Sequence, residues 1–261
     1  MSTQAVMCER RGGGLWLRLN RPHALNALDL ETAGGLERGL DLAEAAAEIR
    51  AVVIAGEGRA FCAGADLKQV LDAGPDLLAK LGAVFDRVES FGKPVIASVN
   101  GPALAGGLEL VLCCDLVVAS RSAAFGDAHA NYAMFPAGGA TVRLPRRVGV
   151  ARAKQLMFTG VTLPAEALAG TDLITSLVED GQLDGEVDAL VATIAGKSAA
   201  GIAAMKALVD EGLQMPREVA LRRERREAAA YIRSADFAEG IRAFAEKRRP
   251  RFAGSGGNRD E

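Results

Sequence analysis

The chain has 261 residues, 25% of them charged, with a formal net charge of −2. Its length allows a sizeable interior, either as one large α/β domain or as a core domain with a small appendage. Because basic residues are not in excess, neither nucleic acid nor an anionic membrane is indicated as the main partner. The four cysteines follow neither a CxxC metal pattern nor a disulfide framework, which favours a reducing cytoplasm: Cys8, Cys62, Cys113 and Cys114.

The N-terminal segment becomes charged at Glu9 before any long apolar stretch develops. It therefore lacks the hydrophobic core of a secretory signal and is interpreted as mature sequence. The uncharged run over residues 94–108 is interrupted by Asn100, two prolines and several glycines, so it is too short and too broken for a membrane span.

The first predicted elements alternate strands with helices. Leu15, Leu17 and Leu19 occupy every second position, which predicts a half-buried strand, and Asp29 then stands where a helix N-cap is expected. The β-branched run 52–54 predicts a buried strand followed by a glycine-bearing loop, and "KPVIASVNGPALAGG" repeats that pattern. After it, "LELVLCCD" predicts a helix of about two turns and "LVVAS" another strand. This order indicates α/β architecture with glycine loops at strand ends, where open α/β folds place ligand sites.

The composition changes near Ser198. "AAGIAAMKALVDEG", "REVALRRERREAAAYI" and "SADFAEGIRAFAEKRRPRF" each predict a helix, the last with a serine and acidic-residue start. We therefore divide the chain into a core, residues 1–195, and a helical C-terminal region, residues 196–261. The last nine residues, "AGSGGNRDE", are glycine-rich and polar, which predicts disorder.

The glycine-rich loops do not fit phosphate binding. "AGKS", residues 195–198, ends like a P-loop, but the upstream glycine is replaced by Val191, and no GxGxxG follows a predicted strand. The loops "FCAGAD", residues 61–66, and "ALAGGLE", residues 103–109, suit another task. Glycine allows close approach and unusual torsions, which leave backbone N–H groups free to face an oxyanion.

Four segments together resemble the crotonase superfamily, the enoyl-CoA hydratase and isomerase group. They are "RPHALNALD", "GRAFCAGADLK", "NGPALAGGLELVLCCD" and "FAEKRRPRF", in this order, and the resemblance covers about Leu15 to Phe252. It implies an α/β fold, a spiral of repeated ββα units, with a helical C-terminal region that builds trimers, often stacked as hexamers. It also implies an acyl-CoA thioester whose oxygen is held by the backbone N–H groups of Ala65 and Gly106.

The resemblance places Glu109 at the first catalytic glutamate of the hydratases. A carboxylate in an apolar helix costs free energy unless it is paired or used. The alternative is a glutamate neutralised by a structural arginine.

The second catalytic position departs from the hydratase pattern. Aligning Pro136 and the glycines after it puts His129 where hydratases usually carry a second glutamate, and Asp127 lies two residues earlier. Hydration needs one group to take a proton from water and another to deliver one to carbon, and histidine can do either near neutral pH. We expect Glu109 to activate water and His129, polarised by Asp127, to complete the pair. The alternative is a histidine that only closes the pocket by hydrogen bonding.

Two other aspartates are interpreted as structural. Asp115 stands where the superfamily keeps an aspartate between helix and strand. Asp66 follows Ala65 and could line the pocket, but capping of the next helix is at least as well supported, so it is left out of the catalytic set.

Candidate CoA-binding residues come from three places in the chain. His23 and Ala24 lie in the first segment of the resemblance, and Lys68 follows the first oxyanion loop. Lys247 and Phe252 correspond to a C-terminal segment that, in the family, helps to cover the nucleotide of a neighbouring subunit. The alternative for residues 247–251 is a solvated basic face.

The leading interpretation is an enzyme that hydrates a 2-enoyl-CoA or dehydrates the 3-hydroxy form. His129 keeps open another crotonase reaction, namely isomerisation, decarboxylation or hydrolysis, and a non-catalytic acyl-CoA-binding protein is the third alternative. No cofactor beyond the CoA of the substrate is expected, and two distant histidines form no HxH or HExxH metal motif.

Overall fold

A computed structural model describes residues 4–252. The predicted disordered tail, residues 253–261, lies outside the described residues. The strands are β1 Val6–Arg11, β2 Gly14–Leu19, β3 Ala51–Gly56, β4 Val95–Val99, β5 Pro102–Leu104, β6 Leu116–Ser120, β7 Ala124–Gly126, β8 Thr162–Pro164 and β9 Ser176–Val178. The helices are α1 Leu30–Ala45, α2 Leu67–Glu89, α3 Gly106–Leu112, α4 Ala140–Val148, α5 Val150–Thr159, α6 Leu183–Ala195, α7 Ala199–Gly212, α8 Arg217–Tyr231 and α9 Ala235–Ala245.

The strands form two sheets. The larger has the order β1-β2-β3-β4-β6-β9, antiparallel at β1–β2 and parallel from β2 onwards, and the smaller has the order β5-β7-β8. The strand β3 leads through a loop into α2, and β4 leads through the short strand β5 into α3, so the chain leaves both parallel strands at the same end of the sheet. The expected α/β spiral is confirmed, and the second sheet supplies the short strands that lead into α3 and out towards residue 127.

One prediction about burial was wrong. The strand β2 is covered on both faces, with only Arg18 partly exposed, whereas its leucine alternation predicted one solvated face. Trp16 is fully buried in a cluster with Val187 and Val191 of α6. The guanidinium carbons of Arg11 and Arg18 lie 4.6 and 4.7 Å from its ring centroid. A helix far along the chain therefore covers the second face.

The C-terminal helices are confirmed, and they bury little of their own surface. Helices α7 and α8 contain no buried residue and α9 contains only Ala243. The "AGKS" segment is the connection between α6 and α7, with Ser198 accepting a hydrogen bond from Gly201 N as the N-cap.

Within the described part of the chain, no single helix is long and apolar enough to cross a membrane. One bent pair, Asp180–Ala195 with Ala199–Gly212, passes that test on length and composition.

Candidate active site

The first oxyanion loop follows β3 and holds the N–H of Ala65 away from its neighbours. Leu28 N donates to Gly64 O and Asp66 N donates to Leu28 O, each at 2.8 Å, so the peptide N–H of Ala65 faces the opposite side. Gly64 has φ of +103°, a torsion that favours glycine. Among residues 4–252, Ala65 N has no hydrogen-bond partner, which leaves it free for a ligand.

The second loop presents the N–H of Gly106 at the start of α3. Ala105 has φ 48° and ψ −120°, an uncommon conformation for a residue with a side chain. As the first residue of a helix, Gly106 cannot donate within it, and its N–H has no partner in the described chain. A Cβ built on Gly106 would lie 3.3 Å from Ala65 N, so the two free amides come from loops in contact.

Glu109 lies one turn further along α3 and is only 3% exposed. Its Oε1 accepts hydrogen bonds from Gly138 N at 2.8 Å and Ala140 N at 3.1 Å. Because Ala140 is the first residue of α4, the carboxylate faces the positive end of that helix. These bonds fix Oε1 and leave Oε2 as the oxygen available for proton transfer.

The alternative of a glutamate neutralised by arginine is not what the structure shows. Arg143 lies nearby but pairs with Asp86 at 3.0 Å and Glu89 at 2.5 Å, and it donates to Gly138 O at 2.6 Å. In the described chain no arginine forms an ion pair with Glu109. Arg143 instead holds the peptide segment whose N–H groups bind the carboxylate.

His129 and Asp127 join Glu109 in one buried cluster. The side chains of His129 and Asp127 bond through Nδ1 and Oδ1 at 3.0 Å, and His129 Nε2 lies 4.0 Å from Glu109 Oε2. His129 is 8% exposed and Asp127 is 1% exposed. A separation of 4.0 Å is too long for a direct hydrogen bond and allows one water to bond both groups.

The environment raises the pKa values of both members of this pair. Burial raises the pKa of Glu109, against the opposing effects of its two backbone hydrogen bonds and of His129. For His129, burial alone would lower the pKa, but the hydrogen bond and charge of Asp127, together with Glu109, outweigh it and raise the pKa. An acid and a base with perturbed pKa values in one buried cluster are typical of an active site.

The N-terminal candidates for CoA binding lie beside the first oxyanion loop. His23 and Ala24 occupy a short 3-10 turn, and the segment after it pairs with the loop through Ala63 N donating to Leu25 O at 3.0 Å. His23 and Lys68 are both exposed. Arg21, which the sequence analysis did not single out, ties the region together by pairing with Asp66 at 2.9 Å and Asp29 at 3.2 Å.

The C-terminal candidates for CoA binding follow α9. Lys247 follows α9, is exposed and has φ of +53°, whereas Phe252 is half-buried. Their assignment to a neighbouring subunit's nucleotide stays a prediction.

Asp66 caps α2, as expected, by accepting a hydrogen bond from Lys68 N at 3.2 Å.

Asp115 has a structural position, as expected. Its Oδ2 accepts from Val95 N and from Lys206 Nζ, both at 2.7 Å, so it joins β4 to α7.

Sequence reasoning missed the two amides that hold Glu109. Gly138 and Ala140 lie 29 and 31 residues after it. The available signal was the glycine pair before α4, because a helix N-terminus preceded by glycines can bind a carboxylate. A Cβ on Gly138 would lie 2.5 Å from the Phe85 ring and 2.7 Å from Glu109 Oε2, so a larger residue there would have to displace one of these side chains.

Two free amides beside a buried carboxylate and imidazole define an enzyme that stabilises an oxyanion and moves protons near it. The family model for enoyl-CoA hydratase/isomerase matches residues 9–255. The chain therefore belongs to the enoyl-CoA hydratase/isomerase family.

Relatives and solved structures agree over nearly the whole length. A short-chain-enoyl-CoA hydratase of Clostridium acetobutylicum is 32% identical, over 95% of this chain and 97% of its own. A crotonyl-CoA hydratase of Syntrophomonas wolfei is also 32% identical, over 97% and 99% respectively. The crystal structure of an enoyl-CoA hydratase from Bacillus anthracis superposes with a TM-score of 0.92 at 32% identity, covering 96% of this chain and 100% of that one.

Proposed function

We propose that the protein is an enoyl-CoA hydratase that adds water across the 2,3 double bond of an enoyl-CoA thioester, and that catalyses the reverse dehydration. The observation that carries this proposal is the pair formed by Glu109 Oε2 and His129 Nε2, 4.0 Å apart and buried. Hydration needs one group that takes a proton from water and another that delivers a proton to carbon. Two titratable side chains at this separation can perform both transfers.

The thioester oxygen would accept hydrogen bonds from the N–H groups of Ala65 and Gly106. As water attacks C3, electrons move towards that oxygen and an enolate forms. Both donors are held in place before the reaction, so each contributes roughly 3–4 kcal/mol to the transition state, as measured for other oxyanion holes.

Glu109 and His129 would divide the proton transfers. Glu109 Oε2 takes a proton from the water, whose oxygen bonds to C3, and the imidazolium of His129 delivers a proton to C2. The raised pKa of His129 supports an imidazolium near neutral pH. The proton then returns from Glu109 to His129 through one bridging water, which restores both groups.

Asp127 would hold His129 in the tautomer and orientation that this step needs. Its carboxylate bonds Nδ1, so Nε2 faces Glu109. In this scheme the reaction requires no cofactor beyond the CoA of the substrate.

A second candidate, hydrolysis of the thioester, is favoured by the same Asp127 contact. A carboxylate that orients a histidine is the arrangement that activates water or hydroxyl groups in acyl-transfer triads. Here water would add to C1, His129 would take its proton, and the proton would pass to the departing CoA thiolate.

We further propose that the protein works as a trimer or hexamer and is located in the cytoplasm. Exposed large apolar side chains on the C-terminal helices support an oligomer, because association would remove them from water. Four free thiols support a reducing compartment.

The test is turnover of a panel of trans-2-enoyl-CoAs of increasing chain length, followed by loss of enoyl-thioester absorbance and by release of free thiol. We expect absorbance loss without thiol release, and its collapse in Glu109→Gln. Thiol release would favour the hydrolase, and CoA-thioester binding by folded protein with neither signal would contradict both reactions.

A further inference from the structure

A cavity lies at the end of the larger sheet opposite to the oxyanion loops. It has a volume of about 420 Å³ and is bounded by the C-terminal end of α1, the starts of β3 and β4, and the α6–α7 junction. Arg50 and Pro94 immediately precede β3 and β4, whereas the oxyanion loops follow the other ends of these strands. A strand of six residues spans roughly 20 Å, so the cavity is separate from the site of Glu109.

Arg50 contributes a buried cation to this cavity. Its side chain lines the cavity and the residue is only 4% exposed. One guanidinium nitrogen donates to Lys197 O at 2.6 Å, while Nη1 is buried without a hydrogen-bond partner. Within residues 4–252 it forms no ion pair, although Asp236 attracts it from further away. A buried unpaired donor on a charged group is costly, so such a group indicates a missing acceptor.

Lys93 adds a second cation beside Arg50. Its Nζ donates to Ala43 O at 2.5 Å and Ala46 O at 2.7 Å, which leaves one of its three N–H donors unused. In the described chain Lys93 forms no ion pair, and burial together with the charge of Arg50 lowers its pKa. Glu44, the acidic residue at the cavity wall, pairs with Arg87 at 3.2 Å. The cavity therefore has an excess of positive charge.

The remaining walls are mostly aliphatic: Ala45, Ala47, Ile49, Pro94, Ile194, Ala199 and Ile202. A ligand that matches them needs an apolar body and one anionic end with planar acceptors for the guanidinium. A carboxylate fits this description, whereas inorganic phosphate has no apolar part to fill the cavity.

We propose that this cavity is a binding site for a small aliphatic carboxylate, held by the positive charges of Arg50 and Lys93, which both line it. Binding there joins the end of α1, the start of β3 and the α6–α7 turn, because Arg50 already holds Lys197 O. The ligand therefore stabilises the fold as it binds.

The test is isothermal titration of the full chain with octanoate, and in parallel with 1-octanol, which has the same chain without the charge. Arg50→Met removes the cation and keeps an apolar side chain of similar length. Ala199→Trp places a bulky side chain at the exposed start of α7, which lines the cavity, and leaves both cations in the sequence. Circular dichroism checks that both variants are folded.

We expect octanoate to bind and to raise the melting temperature, with a 10- to 100-fold loss of affinity in Arg50→Met and a comparable loss in Ala199→Trp. 1-Octanol should bind weakly and without dependence on Arg50. Octanoate affinity that is unchanged in both folded variants would overturn the proposal. A change of oligomeric mass in Arg50→Met would also overturn it, because the acceptor would then be a carboxylate of another subunit.

Discussion

Glu109 places a carboxylate in the first turn of a helix whose seven residues are all buried. Two features of its surroundings lower the free-energy cost of burying this carboxylate. Gly138 and Ala140 donate to Oε1, and the second oxygen lies opposite an imidazole that is itself bonded to Asp127. The cluster formed by Glu109, His129 and Asp127 is thus held for proton transfer, at a cost in stability that the rest of the fold offsets.

That cost predicts that Glu109→Gln is more stable than the wild type at neutral pH. Burial raises the pKa of Glu109 in the folded state above its ordinary value of 4.5. Stability is therefore lost as pH rises through this raised pKa, and the loss is absent below the ordinary value. A neutral amide avoids the loss and still accepts both backbone bonds.

Thermal unfolding between pH 4 and pH 8 measures this effect. The melting temperature of Glu109→Gln should exceed that of the wild type at pH 7 to 8, and the two should converge towards pH 4. Glu224→Gln, at an exposed position of α8, is the matched control and should show no such trend. A Glu109→Gln variant that is less stable at pH 7 would contradict the account of burial.

The role of His129 predicts different results for two substitutions. His129→Ala removes the acid, so we expect kcat to fall by roughly 10²- to 10⁴-fold, the usual contribution of one acid or base. His129→Glu restores a group that can carry a proton and the two-glutamate pattern of the hydratases, so it should recover part of this loss. Steady-state hydration kinetics measure both, and equal activity of His129→Ala and wild type would assign the histidine a packing role.

The contact between Asp127 and His129 predicts that replacing Asp127 shifts the pH profile of kcat/KM. The profile of kcat/KM should rise as Glu109 ionises and fall as His129 loses its proton, and Asp127 raises the pKa of His129. Asp127→Asn removes that charge, so the alkaline limb should move to lower pH while the acid limb, set mainly by Glu109, moves little. An alkaline limb that stays in place would show that Asp127 does not tune the histidine.

Among the secondary-structure elements, the glycine loops after β3 and β5 govern the position of the site. Gly107 is packed directly against the carbonyl oxygen of Cys62 in the other loop. The same contact zone includes Gly64 and Gly106, so the spacing of the two oxyanion amides depends on glycine at each position.

Gly107→Ala should therefore separate the loops and abolish the oxyanion hole. Its Cβ would overlap Cys62 O, which cannot move without displacing the strand pairing of Cys62 with Ala103. We expect a loss of kcat/KM of at least 10²-fold, the cost of removing one oxyanion donor elsewhere. Gly82→Ala, in α2 with open space around its Cα, is the control and should leave kcat/KM unchanged.

How far the sequence predicts these elements depends on the range of the interactions. The capping residues Asp29, Asp66 and Ser234 were all visible locally, because an N-cap bonds within three residues. The burial of the second face of β2 was not visible locally, because α6, which covers this face, lies more than 160 residues away in the chain. Likewise, the motifs predicted Glu109 and His129, but not the amides at Gly138 and Ala140 that orient the glutamate.

At the scale of the whole molecule, the C-terminal helices carry an apolar surface that a single copy does not cover. Its exposed members are Met205, Val209, Leu213, Ile232, Ile241 and Phe244, of which Leu213 and Phe244 are 80% and 84% exposed. Apolar residues of this size in such number are typical of a surface that buries itself against another subunit.

We therefore expect sedimentation to give a mass of three or six chains rather than the 27.2 kDa of one. Replacing Val209 of α7 and Leu213, the C-cap residue one turn later, by aspartate should lower that mass, whereas Arg225→Ala on α8 should not. A wild-type protein that sediments as a monomer at micromolar concentration would contradict the oligomer.

The most direct test of a mechanism shared by Glu109 and His129 is a double-mutant cycle on hydration of a trans-2-enoyl-CoA, with the wild type, Glu109→Gln, His129→Ala and the double variant. Because one water and one pair of groups carry the reaction, removing the second group after the first should cost little. The account predicts that the double variant is about as slow as the slower single variant. Losses that multiply independently, or full hydration activity in either single variant, would contradict a shared mechanism of Glu109 and His129.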